Sequence, residues 1–161
     1  MEIRNKVAVV TGAASGIGRA VAMRFAQDGA RGVVVADLDL AGAQAVAAEI
    51  GAQALAVRCD VSVEADIQAL VAAARERFGQ VDIYISNAGI LGRPGGFELD
   101  DALWDKMWQV HGMAHVWAAR AVVPEMVQRG EGYFLVTASA AGLLDIVGSV
   151  PDGGAKHGAA G

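Results

Sequence analysis

The sequence predicts an α/β domain built on a doubly wound parallel sheet, and three observations carry that prediction. Five short apolar runs recur along the 161 residues, helix-like segments separate them, and the runs stay apolar throughout instead of alternating with polar residues. Strands buried on both faces read this way, and right-handed β-α-β crossovers then put helices on both sides of the sheet. Composition agrees. Hydrophobic residues make up 54% of the chain, enough to fill the core of one domain of this length.

The first run, Val7–Val10, ends at Thr11-Gly12 and reads as a buried strand. Ile17, Ala20, Val21 and Phe25 then follow helical spacing from Gly16 to Gln27, and Gly29 closes that helix. Gly32–Ala36 is a second β-branched run, stopped by Asp37. An alanine-rich helix over Ala41–Ile50 and a third strand over Gln53–Arg58 follow. Ser62 stands where it would cap a helix reaching Phe78, with Glu64 and Asp66 suited to the positive end of its dipole. Val81–Ser86 is the fourth strand. A glycine-rich loop, Gly89–Gly96, precedes a long helix capped near Asp100 and running towards Gln128, and Tyr133–Ala138 is the fifth strand. Residues 1–150 make up the predicted domain. Residues 151–161 are glycine-rich, have little helix propensity, and read as an irregular remnant of the next helix.

Charge and composition exclude several function classes. The net charge of −5 disfavours nucleic acid or an anionic membrane as partner. The longest uncharged stretch, Gly132–Leu144, falls short of the ~20 residues that span a bilayer. The first strand starts too early to leave room for a signal peptide. A single cysteine, Cys59, excludes an intrachain disulfide and fits a reducing compartment, so a cytoplasmic location is expected. No metal site is expected.

Glycine is the outlier, at 21 residues. Thr11-Gly12-Ala13-Ala14-Ser15-Gly16-Ile17-Gly18 occupies the junction of strand one and helix one, where glycines let the backbone approach a pyrophosphate held at the helix N-terminus. Its G-x-x-x-G-x-G spacing differs from the general G-x-G-x-x-G fingerprint, and taken alone it fits a tight turn without ligand equally well. Asp37 tips the balance. It ends strand two about 20 residues beyond Gly18, just before Leu38, where an acid accepts hydrogen bonds from an adenosine ribose. The same acid repels a 2′-phosphate, and no Lys or Arg lies between Gly12 and Gly18 to attract one. NAD is therefore expected over NADP.

With these residues in view, the chain resembles the short-chain dehydrogenase/reductases over nearly its whole length. Thr-Gly-x-x-x-Gly-Ile-Gly is that family's form of the loop, contributed here by Thr11, Gly12, Ser15, Gly16, Ile17 and Gly18. Asp60 matches the family's adenine-contacting acid, with Val61 beside it. Ser86-Asn87-Ala88-Gly89 resembles the Asn-Asn-Ala-Gly motif, and Ser139 falls where the catalytic serine sits. Lys156 matches the lysine that binds the nicotinamide ribose and lowers the catalytic tyrosine's pKa. The resemblance implies hydride transfer between NAD(H) and an alcohol or ketone substrate, and a homo-oligomer.

Three departures accompany it. Asp152 stands at the family's tyrosine position, four residues before Lys156, and His111 at that of the family's catalytic Asn. Family members also continue through two more strands and a substrate-covering segment, so the chain reads as shortened at its C-terminus. A carboxyl with an ordinary pKa of ~3.9 has no proton to donate at neutral pH, which makes Asp152 a weak replacement. His111 titrates nearer neutrality and is the candidate for a proton relay. His115, Trp104, Trp108 and Trp117 read as packing residues. Three functions stay open: an oxidoreductase, an NAD-binding module without turnover, and an interaction scaffold.

Overall fold

A computed structural model describes residues 2–92, 94–96, 98–144 and 150–160. Position 93 of the glycine-rich loop, the 145–149 stretch at the predicted domain boundary, and Gly161 lie outside the described residues. The sheet comprises β1 (Val7–Thr11), β2 (Gly32–Asp37), β3 (Ala54–Arg58), β4 (Ile83–Ser86) and β5 (Tyr133–Val136). All neighbours pair in parallel, in the order β3-β2-β1-β4-β5. The predicted doubly wound sheet is the one observed.

Each central strand feeds two cores. Val7 and Val9 of β1 face one core with Val34 and Tyr84, while Ala8 and Val10 face the other with Val33, Val35, Ile83 and Ile85. Helices α1 (Gly16–Gln27) and α2 (Leu40–Ile50) cover the second core. Helices α3 (Glu64–Phe78) and α5 (Ala114–Arg129) cover the first. Burial on both faces explains why the strands carry no polar alternation.

Four local expectations need correction. Ser62 does not cap α3: Val63 takes that position, and the Ser62 hydroxyl donates to Asp60 at 2.6 Å. The long helix is interrupted. Helix α4 (Asp101–Trp108), capped by Asp100 accepting from the Leu103 N–H at 2.8 Å, passes through a π-helical turn, Gln109–Met113, into α5. The fifth strand stops at Val136, and a 3-10 turn forms at Ala140–Gly142. Finally, the segment read as irregular is a helix, α6 (Val150–Ala160). Its glycines let Trp104 and Trp108 come close, within 3.8 Å of a Cβ built at Gly154 and 2.9 Å of one built at Gly158. Packing on α4 and the π turn supplies the stability that intrinsic propensity lacks.

Candidate functional site

From β1 the winding runs outward through β2 in one direction, and from β4 through β5 in the other, so the carboxyl ends of β1 and β4 leave a crevice at the centre of the sheet. Thr11 stitches its floor. The Thr11 hydroxyl accepts the N–H groups of Asn87 and Ala88 at 3.0 and 3.1 Å and donates to the Ile85 carbonyl at 3.3 Å. The Asn87 amide returns a bond to the Thr11 carbonyl at 2.9 Å. A Cβ on Gly12 would stand 2.8 Å from Ala88 Cα, and one on Gly18 only 2.2 Å from the Gly12 carbonyl oxygen. Thr11 and Gly18 therefore shape the crevice from behind and do not line it.

A cleft of about 500 Å³ opens above this floor. Gly12, Ser15, Gly16 and Ile17 form one wall, and Asp37, Leu38, Asp60 and Val61 form the far end. Ser15 caps α1 without a side-chain bond, which leaves the first-turn N–H groups of the helix for an anion. Asp37 accepts from the Ala14 N–H at 2.9 Å and the Asp39 N–H at 3.0 Å, so it also pins the glycine loop. Asp60 accepts from the Ser62 N–H and hydroxyl and pairs with Lys106 at 3.3 Å. Burial alone would raise the Asp60 carboxyl, but the Ser62 bonds and the Lys106 ammonium outweigh it and hold the group below its ordinary value.

A second chamber of about 220 Å³ continues from the first, and Asn87, Ala88, Gly89, Ile90 and Thr137 line both. His111, His115, Ser139 and Lys156 line the smaller chamber. Ser139 stands at the head of the 3-10 turn, its hydroxyl accepting from the Ala141 N–H at 3.2 Å. Lys156 of α6 pairs with Asp152 at 3.0 Å. Asp152 itself is buried and does not line the chamber, so it takes neither the place nor the reach of a phenol. His115 is not simply packing, because its Nδ1 lies 2.7 Å from the Ser86 hydroxyl. Burial is the main cause that pulls both histidines below 6.5.

The sequence did not mark Lys106, Cys59, Ile90, Val110 or Thr137, all of which line the larger cleft. Lys106 reaches Asp60 from 46 positions away, and no local pattern encodes that meeting. Among the described residues no cluster of His, Cys, Asp and Glu is arranged to hold a metal, and no helix is long and apolar enough to cross a membrane.

The short chain dehydrogenase profile matches residues 6–161, and the chain belongs to that family. It is 42% identical to sex determination protein tasselseed-2 of Zea mays, over 94% of this chain and 47% of that protein. It is 40% identical to 1-deoxy-11-beta-hydroxypentalenate dehydrogenase of Streptomyces exfoliatus, over 98% of this chain and 59% of that one. The chain thus spans about half the length of these relatives. Among solved structures, a short chain dehydrogenase/reductase from Burkholderia phymatum in complex with NAD superimposes with a TM-score of 0.95 at 35% identity, covering 99% of this chain and 58% of that chain. A 3-ketoacyl-(acyl-carrier-protein) reductase from Brucella melitensis complexed with NADH gives 0.90 at 38% identity, over 96% and 66%.

Proposed function

We propose that the chain serves an NAD(H)-dependent oxidoreductase acting on a small alcohol or ketone. The observation that carries this reading is the continuity of the two chambers: a dinucleotide with its adenosine at Asp37 would present its other end beside Ser139 and Lys156. The residues present fit such a group. The backbone approaches that Gly12 and Gly18 permit leave the α1 N-terminus clear for the pyrophosphate, and Asp37 offers the ribose a carboxylate. In this reading Asp60 and Val61 meet the adenine, Asn87, Ala88 and Gly89 carry the middle of the ligand, Lys156 holds the nicotinamide ribose, and Ser139 hydrogen-bonds the substrate oxygen. Nicotinamide supplies hydride acceptance and donation; this chain binds, orients and excludes water.

Asp37 supports NAD over NADP, and the NAD and NADH complexes of the two structural neighbours support a nicotinamide cofactor in general. A cytoplasmic location and a homo-oligomer belong to the same proposal, the former supported by the free, buried Cys59.

NADH fluorescence titration followed by turnover assays on a panel of secondary alcohols tests the reading. Saturable binding with turnover is expected; absence of NADH binding overturns it. The Asp152–Lys156 pair favours a second reading, binding without turnover, because it engages the lysine with a carboxylate in place of a phenol. Binding without turnover across the panel would select it.

A further inference from the structure

The smaller chamber offers few groups able to take up a proton near neutral pH. Its hydroxyls, on Thr137 and Ser139, are weak bases, and the ammonium of a protonated Lys156 has no lone pair. Two imidazoles remain. His115 is engaged by the Ser86 hydroxyl at 2.7 Å and by the backbone carbonyl of His111.

His111 is arranged differently. Its Nε2 lies 2.9 Å from the Ile90 carbonyl oxygen, which can only accept, so Nε2 carries the hydrogen. The Ile90 N–H, 3.4 Å from the same nitrogen, is the weaker contact. That leaves the lone pair on Nδ1, and among the described residues no hydrogen bond reaches it. The Cε1–Nδ1 edge of the ring faces Gly89, where a Cβ would stand 3.0 Å from Cε1 and 3.6 Å from Nδ1. Gly89 lines both chambers, so this edge lies where they meet.

Asp152 sits on the other side of the ring. It is 4% exposed and ion-paired to Lys156. The Lys156 ammonium sits 3.0 Å from its Oδ1, and that oxygen stands 3.9 Å from His111 Nε2. A buried carboxylate close to the N–H side of an imidazole favours the imidazolium once a proton arrives at the opposite nitrogen.

We propose that His111 is the proton-carrying residue of this site, with Nδ1 as the base and Asp152 as the positioning residue that offsets its charge. The proposal rests on the oxidoreductase reading above. In alcohol oxidation the substrate O–H bond breaks and its proton passes to Nδ1. The electron pair left on oxygen becomes the second bond of the carbonyl as hydride leaves the carbon for the oxidised nicotinamide dinucleotide. Ketone reduction runs the same steps in reverse. The charged and titratable groups facing His111 are Asp152 and Lys156 from α6 and His115 from α5. Burial lowers its pKa, the Ile90 carbonyl raises it, Lys156 lowers it and Asp152 raises it, with a net value below 6.5. The ring is therefore neutral at neutral pH, with its lone pair available.

Two measurements on the full chain test this: kcat with NAD and a secondary-alcohol panel across acidic and neutral pH, and an NMR titration of histidine nitrogens without cofactor. His111→Gln is expected to lower kcat about 10²–10⁴-fold, to remove the acid limb of the pH profile and to leave NADH affinity unchanged. His111→Asn, checked for folding by NADH binding, must show the same loss. Asp152→Asn is expected to push the His111 titration lower and to move the acid limb with it. A parent that binds NADH but turns over nothing overturns the proposal alone. So does a His111→Gln variant with parental kcat, an acid limb that only His115→Gln removes, or a His111 titration unmoved by Asp152→Asn. A parent that binds no NADH overturns the oxidoreductase reading first, and this proposal with it.

Discussion

Asp37, proposed above to meet the ribose, also pins the glycine loop, which the sequence does not show. Its place at the end of a strand, beyond a glycine loop, is readable from spacing alone. Its bonds to the Ala14 and Asp39 N–H groups are not, because they depend on how the loop folds back over β2. Asp37→Ala is expected to weaken NADH binding by about 1–3 kcal/mol, the scale of hydrogen bonds to a charged group. A fluorescence titration measures it, and an unchanged dissociation constant would contradict the ribose assignment. Cys59 makes a second prediction at this scale. Burial and the nearby Asp66 and Asp60 push its thiol up to about 12. A thiol reagent at mildly alkaline pH is expected to label the folded chain far more slowly than the urea-unfolded one. Equal rates would show that the thiol is open.

The elements legible in the sequence are those whose signal is local. Uniformly apolar runs gave β1 to β4, with only their ends shifted by a residue or two. Helix α6 was missed because its glycines argue against a helix, and the Trp104 and Trp108 rings that cover it lie some 50 residues earlier in the chain. The two glycines facing these rings separate propensity from packing. At Gly154 a Cβ meets Trp104 at 3.8 Å, an ordinary contact, so Gly154→Ala is expected to stabilise the chain by about 0.5–1 kcal/mol. At Gly158 the Cβ comes within 2.9 Å of the outer edge of the half-exposed Trp108 ring, which must move aside, so Gly158→Ala is expected to stabilise less than Gly154→Ala. Urea unfolding of both variants checks that order. The joint between α6 and the π turn also responds to pH. His111 and His115 both titrate below 6.5 when folded, so the unfolded chain binds more protons as pH falls through that region. Stability therefore drops on acidification below about 6.5. Thermal melts across that window should show a falling Tm, with a shallower slope in His115→Gln.

At the scale of the whole molecule, the doubly wound sheet was legible because parallel strands and right-handed crossovers leave few alternatives. The smaller chamber was legible only in part. Ser139 and Lys156 were placed by motif, whereas the burial of Asp152 behind them depends on α6 packing against the π turn. Among the described residues β5 pairs only with β4, and Tyr133 and Leu135 stay 43% and 42% exposed along it. An apolar strand with one side open invites pairing between copies. The 161-residue chain is therefore expected to self-associate at low micromolar concentration in sedimentation, and a single compact monomer peak would refute this. The Thr11 clamp has a kinetic consequence. It joins residues 76 positions apart, so the crevice floor cannot exist until β1 has found β4, although the segments that form β2 and β3 on its other side intervene in the chain. Contacts that close so large a loop form late on the path to the native state. A nucleotide that recognises this floor has nothing to grip in the folding transition state. It should leave the refolding rate of the chain untouched and act by slowing escape from the finished fold.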